Sequence, residues 1–210
     1  MQAHDVNLFF KTLQKMNPEP TTELVYRSHF QLLIAVILSA QATDIAVNKA
    51  TKALFKAAPN AAAMLALGES GLKTYIRTIG LFNSKAKNVI KTCEMLLVQF
   101  KGRVPRQREQ LESLPGVGRK TANVVLNTAF GELTIAVDTH IFRVANRTGL
   151  AQGKTPLAVE KKLLEVIPKQ YLKDAHHWMI LHGRYVCTAR NPQCAQCPVS
   201  TYCGFQLKNR

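Results

Sequence analysis

An amine, a carboxylate and four thiols stand in sequence contexts that suit chemistry. The amine is Lys120. A primary amine must be uncharged to attack an electrophilic carbon, and only about 1 lysine in 2,500 is uncharged at neutral pH. Lys120 opens a predicted helix beside Arg119, and the positive end of that helix and the neighbouring guanidinium both disfavour the ammonium form. The plainer use of such a lysine is a phosphate contact. The carboxylate is Asp138, between the apolar run Ile135-Ala136-Val137 and the helical Thr139-His140-Ile141-Phe142-Arg143. Its local reading is a helix N-cap, and one oxygen can cap while the other faces a site.

The thiols are Cys187, Cys194, Cys197 and Cys203, in the order C-x6-C-x2-C-x5-C. Four soft ligands in so short a loop can wrap one metal centre. Zinc usually uses two paired C-x2-C knuckles, and this loop has one such pair. Ferredoxin spacing is absent too, so spacing leaves iron-sulfur only modestly ahead of zinc. In a reducing compartment, cysteine crowding of this kind points to metal rather than to disulfides.

Lys120 is carried by a hairpin over residues 108–130. A short helix ends at Leu114, the turn is Pro115-Gly-Val-Gly118, and a second helix places Ala122, Val125, Leu126 and Ala129 on one face. Gly116 and Gly118 are expected to permit positive φ and to leave no Cβ in the way, so that N–H groups converge on an anion near the helix's positive end. Glycine is common in any helix-helix turn. Arg119 and Lys120 are not expected in a first helical turn, where each cation opposes the helix dipole by about 0.3 to 1 kcal/mol. A phosphate at the turn resolves the conflict.

The remaining elements are helical. Ala86, Val89, Ile90, Cys93, Leu96, Leu97 and Phe100 recur at helical spacing, and Cys93 is read on that stripe as a buried structural thiol. Helix starts are expected at Asp44, Asn60, Thr155 and Asp174, and Pro156 occupies a tolerated first position. The first of these helices should run to Lys56, the second to Leu67, the third to Ile167 and the fourth to Leu181. Phe30 to Ala42 is apolar nearly all round and should be the buried central helix. Only Leu133 to Val137 looks like a strand, so the chain is predicted to be all-α, with about ten helices. His176, His177 and His182 are too differently directed to share a metal and are expected to pack or to touch phosphate.

Composition supports a polyanionic partner. The 210 residues carry 28 Lys and Arg against 13 Asp and Glu, a formal charge of +15, spread along the chain as expected for a nucleic-acid binder. The longest apolar run, residues 32–38, is far short of the roughly 18 to 20 residues that cross a bilayer. The N-terminus lacks the pattern of a signal peptide, so a cytoplasmic protein is expected.

Leu114-Pro-Gly-Val-Gly-Arg-Lys-Thr-Ala122 resembles the helix-hairpin-helix of base-excision DNA glycosylases. The likeness extends to Ile135-Ala-Val-Asp-Thr-His140, to Leu38-Ser-Ala-Gln-Ala-Thr-Asp44 and to the cysteine array, over essentially the whole chain. It implies two all-α lobes with a DNA cleft between them. A six-helix barrel, residues 22–132, would hold the hairpin; residues 1–21 with 133–210 would form an iron-sulfur lobe around the loop 187–203. Lys120 and Asp138 would stand on opposite walls as nucleophile and assisting carboxylate.

The resemblance decides the cysteine ligands for a [4Fe-4S] cluster, which with four thiolates contributes about −2 and leaves the net charge near +13. It assigns DNA contacts to Gln41, Leu81, Gly116, Val117, Gly118, Arg119 and Thr121, with His140 and Arg143 added by their place beside Asp138. Gln41 and Leu81 would fill the hole left by an extruded nucleotide. Family members often carry several basic residues between the first two cysteines; here only Arg190 stands there, which lowers that loop's expected share of phosphate binding. The implied activity is a bifunctional DNA N-glycosylase and abasic-site lyase, a monomer acting on oxidised pyrimidines in double-stranded DNA at the nucleoid. The other readings are a monofunctional glycosylase of the adenine-mismatch branch, which normally lacks the lysine and has a further C-terminal domain, and a non-catalytic iron-sulfur DNA-binding protein.

Overall fold

Side-chain oxygens set several of the helix starts in the computed structural model, which describes residues 1–205. Ser28 opens α2 (His29–Ser39) by accepting from the Gln31 N–H. Thr43 opens α3 (Asp44–Ala57) through Ala46 N, so the cap is one residue earlier than Asp44, whose carboxylate instead occupies the first turn. Asn60 caps α4 (Ala61–Ile76) through Ala63 N at 2.9 Å, and Thr155 caps α9 (Pro156–Val166) through Ala158 N. These caps satisfy N–H groups that have no partner within the helix.

Other expected boundaries move as well. Gly68 takes φ 69° and ψ 171° and breaks α4, but helical geometry resumes behind it to Ile76. Asp174 does not open a helix. It lies inside α10 (Lys169–Tyr185), whose N-cap is Pro168; the break expected at 174 is placed instead by Pro168, which cannot continue the preceding helix.

Residues 22–130 form one compact unit containing α2, α3, α4, α5 (Phe82–Phe100), α6 (Arg108–Glu112) and α7 (Arg119–Phe130). Every residue from Phe30 to Leu38 is buried, so α2 is the central helix that its all-round apolar character implies, but it stops at Ser39 rather than reaching Ala42: Ala40 and Gln41 are exposed and Gln41 takes a left-handed φ that a helix cannot include. It packs on α3, α5 and α7. Leu54, Met64, Leu72, Ile76, Val89, Leu96, Leu111 and Val125 complete the core, each such side chain favouring burial by about 1.5–3 kcal/mol. Cys93 is fully buried, and burial, assisted by Glu94, pushes its thiol up to about 12.

Residues 1–21 and the chain from 131 onward form the second unit, with α1 (Ala3–Met16), α8 (Thr139–Thr148), α9 and α10 followed by 3-10 turns at Cys194–Gln196 and Ser200–Tyr202. Residues 206–210, the end of the expected iron-sulfur lobe, lie outside the described residues. Phe10 stacks on Tyr171 at 5.8 Å, and Trp178 donates its indole N–H to the Asn17 carbonyl at 2.8 Å, fastening α1 to α10. Leu133–Val137, the strand-like stretch, is an extended connection without a ladder; Ile135, Ala136 and Val137 are held by core burial instead. Among the described residues there are ten α-helices and no strand, the all-α class expected from helical periodicity.

Candidate functional site: a helix-hairpin-helix and a four-cysteine loop

The hairpin turn is built by its first glycine. Gly116 has φ +80°, and a Cβ there would meet Asn88 at 3.1 Å and Ile37 at 3.4 Å, so only glycine fits. The Pro115 carbonyl accepts from Thr92 Oγ1 at 3.0 Å, and Val117, buried at 5% exposure, donates its N–H to Leu114 O. Val117 therefore anchors the turn by side chain and N–H alike.

Gly118 differs from expectation. It lies outside the positive-φ glycines, and nothing stands within 4 Å of its Cβ position. Its carbonyl accepts the first bond of α7 from Ala122 N at 2.9 Å. The missing Cβ leaves an open approach to the helix's positive end, where an anion is favoured. Arg119 and Lys120 are exposed and Thr121 is half-buried. Arg108 Nε donates to Asn123 Oδ1 at 3.0 Å and ties α6 to α7, so the turn is braced on both sides.

Gln41 and Leu81 share a backbone signature. Both are exposed and both take left-handed φ, 53° and 60°, which non-glycine residues rarely adopt. Strained positions of this kind concentrate where structure serves function. They are also neighbours, since a Cβ on Gly80 would lie 3.8 Å from the Gln41 carbonyl.

Asp138 caps α8, its Oδ1 accepting from Ile141 N at 2.8 Å. One carboxylate oxygen is thus used for the cap. Arg143, one turn on, donates through Nη2 to Gly183 O at 2.7 Å and through Nε to Cys187 O at 2.9 Å, with His140 Nδ1 at 3.2 Å. The structure uses these donors to fasten α8 to the end of α10 and to the first cysteine.

The four cysteines line one small cavity with His182, Val186, Val199 and Phe205. Among the described residues no three Cys, His, Asp or Glu side chains are placed to hold one metal ion. Four thiols around one cavity form a soft ligand set that an iron-sulfur cluster would fit. Polar nitrogen atoms reach three of the sulfurs: Arg147 Nη1 approaches Cys187 Sγ at 3.8 Å, His182 Nε2 stands 3.8 Å from Cys197 Sγ, and Phe205 N donates to Cys203 Sγ at 3.4 Å. Burial raises the Cys197 and Cys203 thiols, and the mutual charge of the neighbouring thiols raises both further. A cationic iron core answers that repulsion.

Comparison with known proteins adds the deciding observation. The family model described as "HhH-GPD superfamily base excision DNA repair protein" matches residues 34–169. The chain belongs to the HhH-GPD superfamily of base-excision DNA repair proteins. A second model, the iron-sulfur binding domain of endonuclease III, matches residues 187–203. Endonuclease III of Escherichia coli (strain K12) is 62% identical over 93% of this chain and 93% of its own length, and that of Rickettsia conorii is 58% identical over 98% of each. A solved structure described as a trapped endonuclease III–DNA covalent intermediate superposes with a TM-score of 0.91 at 46% identity, covering 97% of this chain and 96% of that one.

As a member of the HhH-GPD superfamily with endonuclease III as its curated relatives, the chain is a base-excision enzyme, a DNA glycosylase and abasic-site lyase, with a [4Fe-4S] cofactor. Sequence reasoning missed the side chains that hold the cysteine loop in this superfamily member. Arg147 donates to the Thr188 and Ala189 carbonyls at 2.6 and 2.7 Å and lies over the Phe205 ring. His182 is buried, which pushes it down to about 4 and keeps it neutral against Cys197. His176 and His177 are buried as well, so the histidines pack; the phosphate contact also considered for them does not fit. The one available signal was position: Arg147 follows Arg143 by one helical turn.

Proposed function

We propose that Lys120 is the nucleophile with which the enzyme removes oxidised pyrimidines from double-stranded DNA and then cuts the strand at the resulting site. The observation that carries this reading is the place of Lys120: exposed, second residue of α7, directly after a glycine turn with an open anion approach. A phosphate gripped at Gly116–Gly118 holds the backbone while the damaged nucleotide is extruded, because its glycosidic carbon is out of reach within the stack.

Uncharged Lys120 attacks C1′. The bond to the base breaks, and the base leaves with the electron pair and takes up a proton. Asp138, through the oxygen not used for its cap, stabilises positive charge developing on the sugar and accepts or relays the amine's proton. Ring opening leaves Lys120 joined to C1′ as an iminium, which acidifies the C2′ hydrogens. Loss of one C2′ proton expels the 3′ phosphate and breaks the strand on that side of the lesion. Gln41 hydrogen-bonds the orphaned partner base and Leu81 wedges the gap.

Gly116, Gly118, Arg119 and Thr121 supply the phosphate grip on the turn that Val117 anchors, with His140 as a further DNA contact; Arg143, whose Nε and Nη2 bond Cys187 and Gly183, acts by holding α8 in place. Cys187, Cys194, Cys197 and Cys203 hold the cluster, which when bound cross-links the loop and adds a fixed charge distribution. The enzyme acts as a monomer on nucleoid DNA in the cytoplasm. Borohydride reduction with abasic duplex DNA tests the nucleophile: wild type forms a covalent adduct and Lys120→Ala does not, while both bind the duplex. Equal trapping in the two proteins removes Lys120 from the role.

A further inference from the structure

Lys85 is an unusual lysine. It is 5% exposed, and its ammonium nitrogen is buried without a hydrogen-bond partner. Burial lowers its affinity for the proton. A buried and unpaired cation is costly, and an apolar side chain of the same volume would fill the place at lower cost.

Two close approaches locate it. A Cβ on Gly116 would meet both Asn88 of α5, at 3.1 Å, and Ile37 of α2, at 3.4 Å, and one on Gly80, just before α5, would lie 3.8 Å from the carbonyl of Gln41, just after α2. The helices therefore run antiparallel here. Lys85, one turn before Asn88, stands level with the last turn of α2 and the residues that follow it. Its own N–H donates to the Leu81 carbonyl at 3.0 Å, tying it to the second left-handed residue. The last turn of α2 contains no basic residue of its own, and the carbonyl end of a helix attracts a cation.

We propose that Lys85 is a positioning residue for entry into the duplex: its unspent ammonium donors take a backbone carbonyl of residues 40–42 when Gln41 moves into the base stack. The pairing released at that moment offsets part of the unstacking cost, so a bend at one side of the lesion is coupled through Lys85 and Leu81 to the other. The inference rests on the reading that Gln41 and Leu81 enter DNA.

Lys85→Met, which keeps the volume and removes the charge, provides the test, with a 2-aminopurine placed opposite the lesion to report extrusion of the partner base. The variant should melt at or above the wild-type temperature and bind undamaged duplex with an unchanged salt slope. Its 2-aminopurine signal and its single-turnover excision rate should fall about tenfold, equivalent to about 1.4 kcal/mol, and Lys85→Arg should recover most of both. Wild-type signal and rate in Lys85→Met would reduce Lys85 to a core residue and overturn the proposal. So would a lower melting temperature, which would mean the ammonium is already paired in the free protein. A salt slope reduced by about 0.9 would make Lys85 a direct phosphate contact instead. Gln41→Ala serves as the separate control: if it leaves the 2-aminopurine signal intact, the duplex-entry reading fails independently of Lys85.

Discussion

Asp138 caps α8 and, in the proposed reaction, also stabilises charge on the sugar; the two roles can be separated. Asparagine keeps a cap acceptor, so Asp138→Asn should leave thermal stability within about 0.5 kcal/mol of wild type, whereas Asp138→Ala should cost about 1 kcal/mol. Excision should fall at least about a hundredfold in both, since neither can stabilise positive charge. Calorimetry and single-turnover kinetics on the pair check this; parallel losses of stability and rate would make the residue a cap alone. Thiol counting offers a second check. With the cluster bound, no cysteine should react with a disulfide reagent; chelation and oxidation of the cluster should expose four, and denaturant should be needed for Cys93, whose thiol burial holds near 12. Residue roles set by neighbouring sequence were legible beforehand, among them the Asp138 cap and the buried Cys93. Arg143, Arg147 and His182 were not, because their partners lie 15 to 44 residues away in the chain and only folding brings them together.

The hairpin's two glycines do different work, which spacing alone could not distinguish. Gly116→Ala should destabilise the protein by about 1–3 kcal/mol, from positive φ and the collision with Asn88. Gly118→Ala should cost less than about 1 kcal/mol in folding and yet weaken DNA binding, because its Cβ would project into the open approach to α7. Melting curves alongside binding isotherms separate the two; a fold defect of equal size in both would remove the special role of Gly118. Helix types were legible from periodicity, and the boundaries that moved were those where a competing signal was stronger. Thr43 outcompeted Asp44 as a cap, Pro168 set the start of α10 ahead of Asp174, and α4 resumed after Gly68 because Leu72 and Ile76 still had a core to fill.

At the scale of the whole molecule, the formal charge of +15 predicts that attraction to DNA is largely counterion release. With about five phosphate contacts, log K should fall against log salt with a slope near −4.5, and titrations from low to moderate salt measure it. A flat dependence would mean the basic surface is only solvated. Composition does not reveal the division into two helical units, since no linker or change in residue usage marks either crossing, near 21 and near 130. In the proposed reaction one amine, at the start of α7, becomes bonded to deoxyribose. Mass spectrometry of peptides from the borohydride-trapped wild-type complex tests it most directly. The sugar remnant should be found on the peptide containing Lys120 and nowhere else; its appearance on another lysine or on the terminal amine would contradict the account.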